Sequence, residues 1–250
     1  MKNLIMIEWL KLSRLITMRV VLIIYILLVP SIYLLLSQVN LMGWTFPDYI
    51  WKFPESYHFA AYISSWFNLL IGMIIIVFAT NELKYKTQRQ NMIDGLSKRE
   101  IILSKFYVVL LFTCAITIYT FLVGFMFGAI NGDISDMFEG IDQIGMYFIA
   151  TLGYFAFAYL FANLIRLPAL AIVLYLTSTF VEGIVGFFAA QEYVQLFPLT
   201  TFAGLVPIPI LPQGAGMEMI LDQGVRAVLS LVYVGVFIFI AYWVIKRRDI

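Results

Sequence analysis

The sequence predicts an all-α polytopic membrane protein with six transmembrane helices, and three observations carry that prediction. The 250 residues are 62% hydrophobic and 12% charged, about half the charge of an ordinary soluble domain, and the mean hydropathy is +0.93. Six stretches, 20–36, 60–80, 106–130, 146–165, 168–190 and 226–245, approach the ~20 apolar residues that a helix needs to cross the hydrocarbon core. None of them alternates with a strand period, and all are too long for barrel strands, so the spans are helices.

Residues 1–19 precede the first span. At 100° per residue Ile5, Trp9, Leu12 and Ile16 share a face opposite Lys11 and Arg14, the pattern of an amphipathic helix in the membrane interface. A long polar-apolar prelude and the lack of a small-residue cleavage site argue against a removable signal peptide. The loop 37–59 holds Trp44, Tyr49, Trp51 and Tyr57 with Pro47 and Pro54, and aromatics at that density suggest an interfacial belt. His58 is the only histidine, so a metal site there has no partners, and interfacial packing is expected.

Residues 81–105 form a polar island containing Lys84, Lys86, Arg89, Lys98, Arg99 and Lys105. Its length exceeds what closing a helix pair requires. Tyr85, Arg89 and Met92 fall at i, i+4 and i+7, Gly95 is placed as a helix stop, and Ser97 with Glu100 fits a capping box opening the next helix. A short helix, a tight turn and a newly capped helix follow, fixed in a way that a loop serving only topology would not need.

In the third span Gly124 and Gly128 make a small-xxx-small pair for close helix approach. Arg166 and Pro168 mark a hairpin so tight that spans four and five are antiparallel neighbours. Glu182 is the only acid inside a span, costly at that depth and therefore a candidate for a translocation pathway. Pointing at a neighbouring helix, bonded to Ser or Thr, or facing an outer vestibule are equal alternatives. Residues 191–225 are too apolar for a solvated loop. Four prolines (Pro198, Pro207, Pro209, Pro212), followed by Gly214 and Gly216, interrupt them too often for a span, which suggests a re-entrant or interfacial outer hairpin. The whole chain, 1–250, reads as one domain.

Lysine and arginine placement sets orientation. Lys2, Lys11, Arg14, Arg19, the six bases of 81–105, Arg166, Lys246, Arg247 and Arg248 fall on one side, and only Lys52 and Arg226 fall opposite. Both termini are therefore expected in the cytoplasm, with the chain in the bilayer of a bacterial inner membrane. Asp133, Asp136, Glu139 and Asp142 share an outer loop without bases, so the net charge of +1 hides a strong polarity and implies no nucleic acid. Cys114 is the lone cysteine, so there is no intrachain disulfide. No G-x-x-x-x-G-K-[ST], H-E-x-x-H, paired histidines or thiol cluster occurs, which leaves no P-loop and no zinc site. No catalytic motif or cofactor site is expected in the chain itself.

Six spans, an amphipathic N-terminal segment, a Pro-rich outer hairpin and the closing Lys246-Arg-Arg-Asp249 together resemble the ABC type-2 permeases. Glu82-Leu-Lys-Tyr-Lys-Thr87-Gln-Arg89, then Gly95-Leu-Ser97-Lys-Arg99 and Lys105, is similar to that family's loop between spans two and three. The resemblance implies the membrane subunit of an ATP-binding-cassette exporter, driven by a separate cytosolic ATPase that carries ATP and Mg. It implies that 1–19 is an elbow helix and that 81–105 holds a coupling helix. Glu82, Lys84, Tyr85, Thr87, Arg89, Met92, Gly95, Ser97 and Arg99 would form the coupling surface, and 191–225 would gate the exit. It also implies a second permease, identical or related. The short outer segments depart from members that pass cargo to an external partner. Two alternatives stand beside this reading: a membrane anchor or scaffold that recruits a soluble partner through its basic loop, and an intramembrane enzyme using Glu182.

Overall fold

The computed structural model describes residues 15–38, 40–41, 44–84, 97–165, 167–209 and 221–247. Among them the order is helix α1 (Ile16–Gln38), a two-residue antiparallel ladder of β1 (Asn40–Leu41) and β2 (Trp44–Thr45), and a 3-10 turn at Asp48–Trp51. Helices α2 (Glu55–Ser65), α3 (Asn68–Lys84), α4 (Lys98–Asn131), α5 (Ile141–Leu164), α6 (Pro168–Phe188), α7 (Gln191–Val194), α8 (Pro198–Ala203) and α9 (Gln223–Arg247) follow. Five helices are long and apolar enough to cross a membrane, and a sixth span results if the bent pair α2–α3 is taken as one. The chain is an integral membrane protein.

Helix α5 is the hub. Fourteen of its residues are buried, and α9, α3, α4 and α2 pack around it. Helix α1 buries only Met18, Tyr25, Val29 and Tyr33, one stripe at helical spacing. Ile23, Leu27 and Leu35 point outward, where lipid is the natural solvent. Pro30 lies within α1 and cannot donate to the carbonyl four residues back. The Tyr119 hydroxyl from α4 donates to that carbonyl, Ile26 O, at 2.6 Å, so a neighbouring helix satisfies the group that the proline leaves open. The Gly124/Gly128 pair lets α2 press against α4. A Cβ at Gly128 would lie 2.4 Å from the Phe53 ring and 2.6 Å from Ser56 Oγ.

Two expectations change. The second span, expected unbroken over 60–80, is α2 and α3 bent by 49° around Trp66 and Phe67, and its helical part begins at Glu55. Polar side chains flank the break and find partners inside the bundle. Asn68 Nδ2 donates to Thr151 Oγ1 at 3.2 Å, and Tyr147 OH donates to Asn68 Oδ1 at 3.3 Å. Thr120 donates to Ser64 Oγ at 3.0 Å and shares a bond with Tyr25 OH at 3.2 Å. An apolar count hides such a break, because Ser and Asn barely lower the window average.

The second change is in the loop 37–59. Among the described side chains, several of its aromatics are buried in a core, where an interfacial belt would leave them facing outward. Trp51 and Tyr57 are buried, Tyr33 stacks on Phe127 at 3.9 Å, and Trp51 meets Phe59 edge-on at 5.2 Å; Tyr49 stays exposed.

Candidate functional site

Two places gather polar side chains at the ends of the bundle. At one end α3 finishes at Lys84 and α4 starts at Lys98. Ser97 caps α4 as its spacing predicts: its hydroxyl accepts from Glu100 N at 3.3 Å, and its own N–H donates to Glu100 Oε2 at 2.9 Å. The Ser97 hydroxyl also donates to Glu100 Oε2 at 2.7 Å. The backbone bond first, and the hydroxyl after it, hold the exposed Glu100 carboxyl below the usual carboxylate range. Lys105, counted among the loop bases, is buried with its ammonium 4.3 Å above the Phe78 ring, tying α4 to α3. Of the coupling candidates, Glu82 and Lys84 end α3 and Arg99 lies in the first turn of α4. Tyr85, Thr87, Arg89, Met92 and Gly95 lie outside the described residues, as does the N-terminal segment 1–14.

At the other end the segment 191–209 folds into α7 and α8 and docks on the bundle. Glu182, supplied by α6, is half-buried and accepts from Leu199 N at 3.3 Å, Thr200 N at 3.0 Å and Thr200 Oγ1 at 3.3 Å. Its carboxylate therefore sits on the first turn of α8, where free N–H groups favour a negative charge. Arg226, supplied by α9, closes the other end. An added Cβ at Gly204 would stand 1.9 Å from its Nη1. Arg226 Nη2 donates to Gln195 Oε1 at 2.7 Å and Nε to Leu221 O at 3.2 Å. Leu221 N donates to the same Gln195 oxygen at 3.1 Å.

Further anchors come from three helices. Tyr154 OH of α5 donates to Leu199 O at 3.4 Å, and Tyr233 OH of α9 donates to Leu196 O. His58 Nε2 of α2 meets Pro207 O at 2.9 Å, with Glu55 Oε2 3.7 Å from Nδ1. His58 thus binds the hairpin, whereas the sequence suggested interfacial packing alone. The buried Phe202 ring rests where Gly153 lacks a side chain, 2.6 Å from an ideal Cβ.

Glu182 faces a neighbouring helix and has a threonine among its partners. Arg226, Gln195 and His58 do not stand out in the sequence as anchors. The signal available was Arg226 itself, a base at the head of an apolar run on the side otherwise poor in bases. Its partner Gln195 lies 31 residues away, and no local pattern connects the two. A family model described as ABC-2 family transporter protein matches residues 4–190, ending just ahead of α7. No curated protein matches the chain.

Proposed function

The chain belongs to the ABC-2 transporter family, and from that membership we propose that it is the permease of an exporter powered by a separate cytosolic ATPase. The observation that carries the coupling part is the joint between α3 and α4. Lys105 over Phe78 links the two helices near their ends, and the Ser97–Glu100 box fixes where α4 begins, so a push on residues 85–96 is passed to both spans. Tyr85, Arg89 and Met92 form the face that seats in the ATPase, flanked by Glu82, Lys84, Thr87, Gly95, Ser97 and Arg99. A ring, a charge and a flexible thioether suit a protein groove. Closure of two ATPases on ATP and Mg pushes this joint, and the bundle alternates between cytoplasmic and outer access. Residues 1–19 slide in the interface as an elbow. The α7–α8 hairpin, pinned by Glu182 and Arg226, gates the outer exit, and a second permease completes the pathway.

Affinity purification of the tagged chain in mild detergent tests this. A soluble ATPase is expected in the eluate in equal proportion and lost on Tyr85→Ala with Arg89→Glu, while the permease still elutes as a folded species. Recovery of no ATPase, or of an unrelated soluble protein bound regardless of nucleotide, overturns the reading in favour of a scaffold.

A further inference from the structure

Where α2 breaks from α3, the bundle opens into a cavity of about 320 Å³, lined on its far side by residues 202–208. Four aromatic rings wall it. Tyr62 and Trp66 come from the break, edge to face at 5.4 Å and 77°. Tyr154 from α5 and Phe202 from α8 meet at 5.6 Å and 64°. Ser65 also lines it, and none of the lining residues is charged.

The break adds an electrostatic sign. Helix α2 runs 11 residues and ends at Ser65, with Trp66 as its C-cap. Trp66 N bonds to Ile63 O and Phe67 N to Ser64 O, and the ladder resumes only with Ile71 N on Phe67 O. Among the described residues, the Trp66 carbonyl, between the two helices, receives no bond from Leu70 N. Ser65 and Trp66 line the cavity, at the partly negative end of a helix. Broken backbone at membrane depth persists only inside protein or beside a polar space, so an acyl chain is a poor filling. Arg226 lies against Gly204, which does not line the cavity, and is engaged by Gln195 and Leu221.

Aromatic rings on several sides, beside the partly negative end of a helix, are the recognition chemistry of an organic ammonium. We infer that this cavity binds the ammonium group of a small organic cation. As a cargo subsite it deepens the permease reading and rests on it; as a binding site it stands without any ATPase. The ammonium could belong to a free cation or to a choline lipid headgroup, and lipid composition separates the two.

The test is equilibrium binding of radiolabelled benzyltrimethylammonium to the full chain in nanodiscs of phosphatidylglycerol, with empty discs as background and no ATPase present. Saturable binding is expected, weakened at least tenfold by Trp66→Leu and by Ala203→Trp, which fills the rim, and retained by Trp66→Phe. Trp66 is 54% exposed, so its substitution leaves the core intact, and each variant must elute as a single folded species. Neopentylbenzene, the uncharged isostere, should not compete. Equal affinity in phosphatidylcholine discs identifies a free cation as the ligand, and suppression there identifies the headgroup. Absence of saturable binding, binding indifferent to Trp66→Leu and Ala203→Trp alike, or full competition by neopentylbenzene overturns the inference. Failure to recover an ATPase leaves this measurement untouched and strikes only the permease reading.

Discussion

Glu182 and Glu100 are both carboxylates on helix N-termini, and their settings differ. Glu182 reaches across from another helix to the backbone of Leu199 and Thr200, so its loss frays α8 without touching α6. Removing a cap of this kind costs about 1 kcal/mol, or roughly a fivefold change in an opening equilibrium. Glu182→Ala is accordingly expected to speed hydrogen exchange at the Leu199 and Thr200 amides by about that factor, read by mass spectrometry of the 196–204 peptide. Glu100 caps its own helix in water. Its carboxyl titrates below the ordinary range because Ser97 bonds the charged form. Its contribution is therefore complete above the unfolded glutamate pKa of about 4.3 and vanishes as pH falls through the depressed folded value. Exchange at the first turn of α4 should be flat from neutral pH down to that range, once corrected for intrinsic rates, and rise below it. Ser97→Ala, which removes the hydroxyl and keeps the backbone bond, should shrink the pH step, and Glu100→Gln should abolish it.

At the level of elements, what was legible depended on whether a signal was local. The capping box of α4 sits within four residues, and the Gly124/Gly128 pair within five, so both could be read directly. Five spans follow from hydropathy alone, within a few residues of the observed ends. The break at Trp66 could not be read, because Ser64 and Asn68 are held by Thr120 and Thr151, 56 and 83 residues away. Two anchors of the segment 191–209 escaped for the same reason: Gln195 and Arg226 meet only after that segment packs against α9. The glycine pair carries its own prediction. Gly128→Leu drives a side chain into Phe53 and Ser56 and forces α2 away from α4, an overpacking that costs about 1–3 kcal/mol. The expected result is a lower unfolding midpoint by tryptophan fluorescence in detergent, with Ile130→Leu, on the outward face, as the unaffected control.

Across the whole molecule, burial is uneven. Within the most apolar window of each span, α5 is 61% buried, α1 17% and α6 11%. Helix α6 buries only Ala171 and Tyr175 and turns Phe180, Ile184 and Phe187 outward. A second permease is part of the proposed pathway, and light scattering of the purified protein, corrected for detergent, should give twice the 28.7 kDa of one chain; a single-chain mass would remove the dimer. The uneven burial also divides the bundle mechanically. Helix α5, wrapped by its neighbours, acts as a stator, because rotating it would disrupt packing on every side. Helices α1 and α6 hold few internal contacts and can shift or tilt at little cost to the core. Whatever resists their movement therefore lies largely outside the chain, in the surrounding lipid. With 21 residues, α6 is about 31 Å long, close to the ~30 Å hydrocarbon thickness of an average bilayer. Thickening or thinning the bilayer by a few ångströms is therefore expected to change the tilt of α6 before it disturbs the packing around α5.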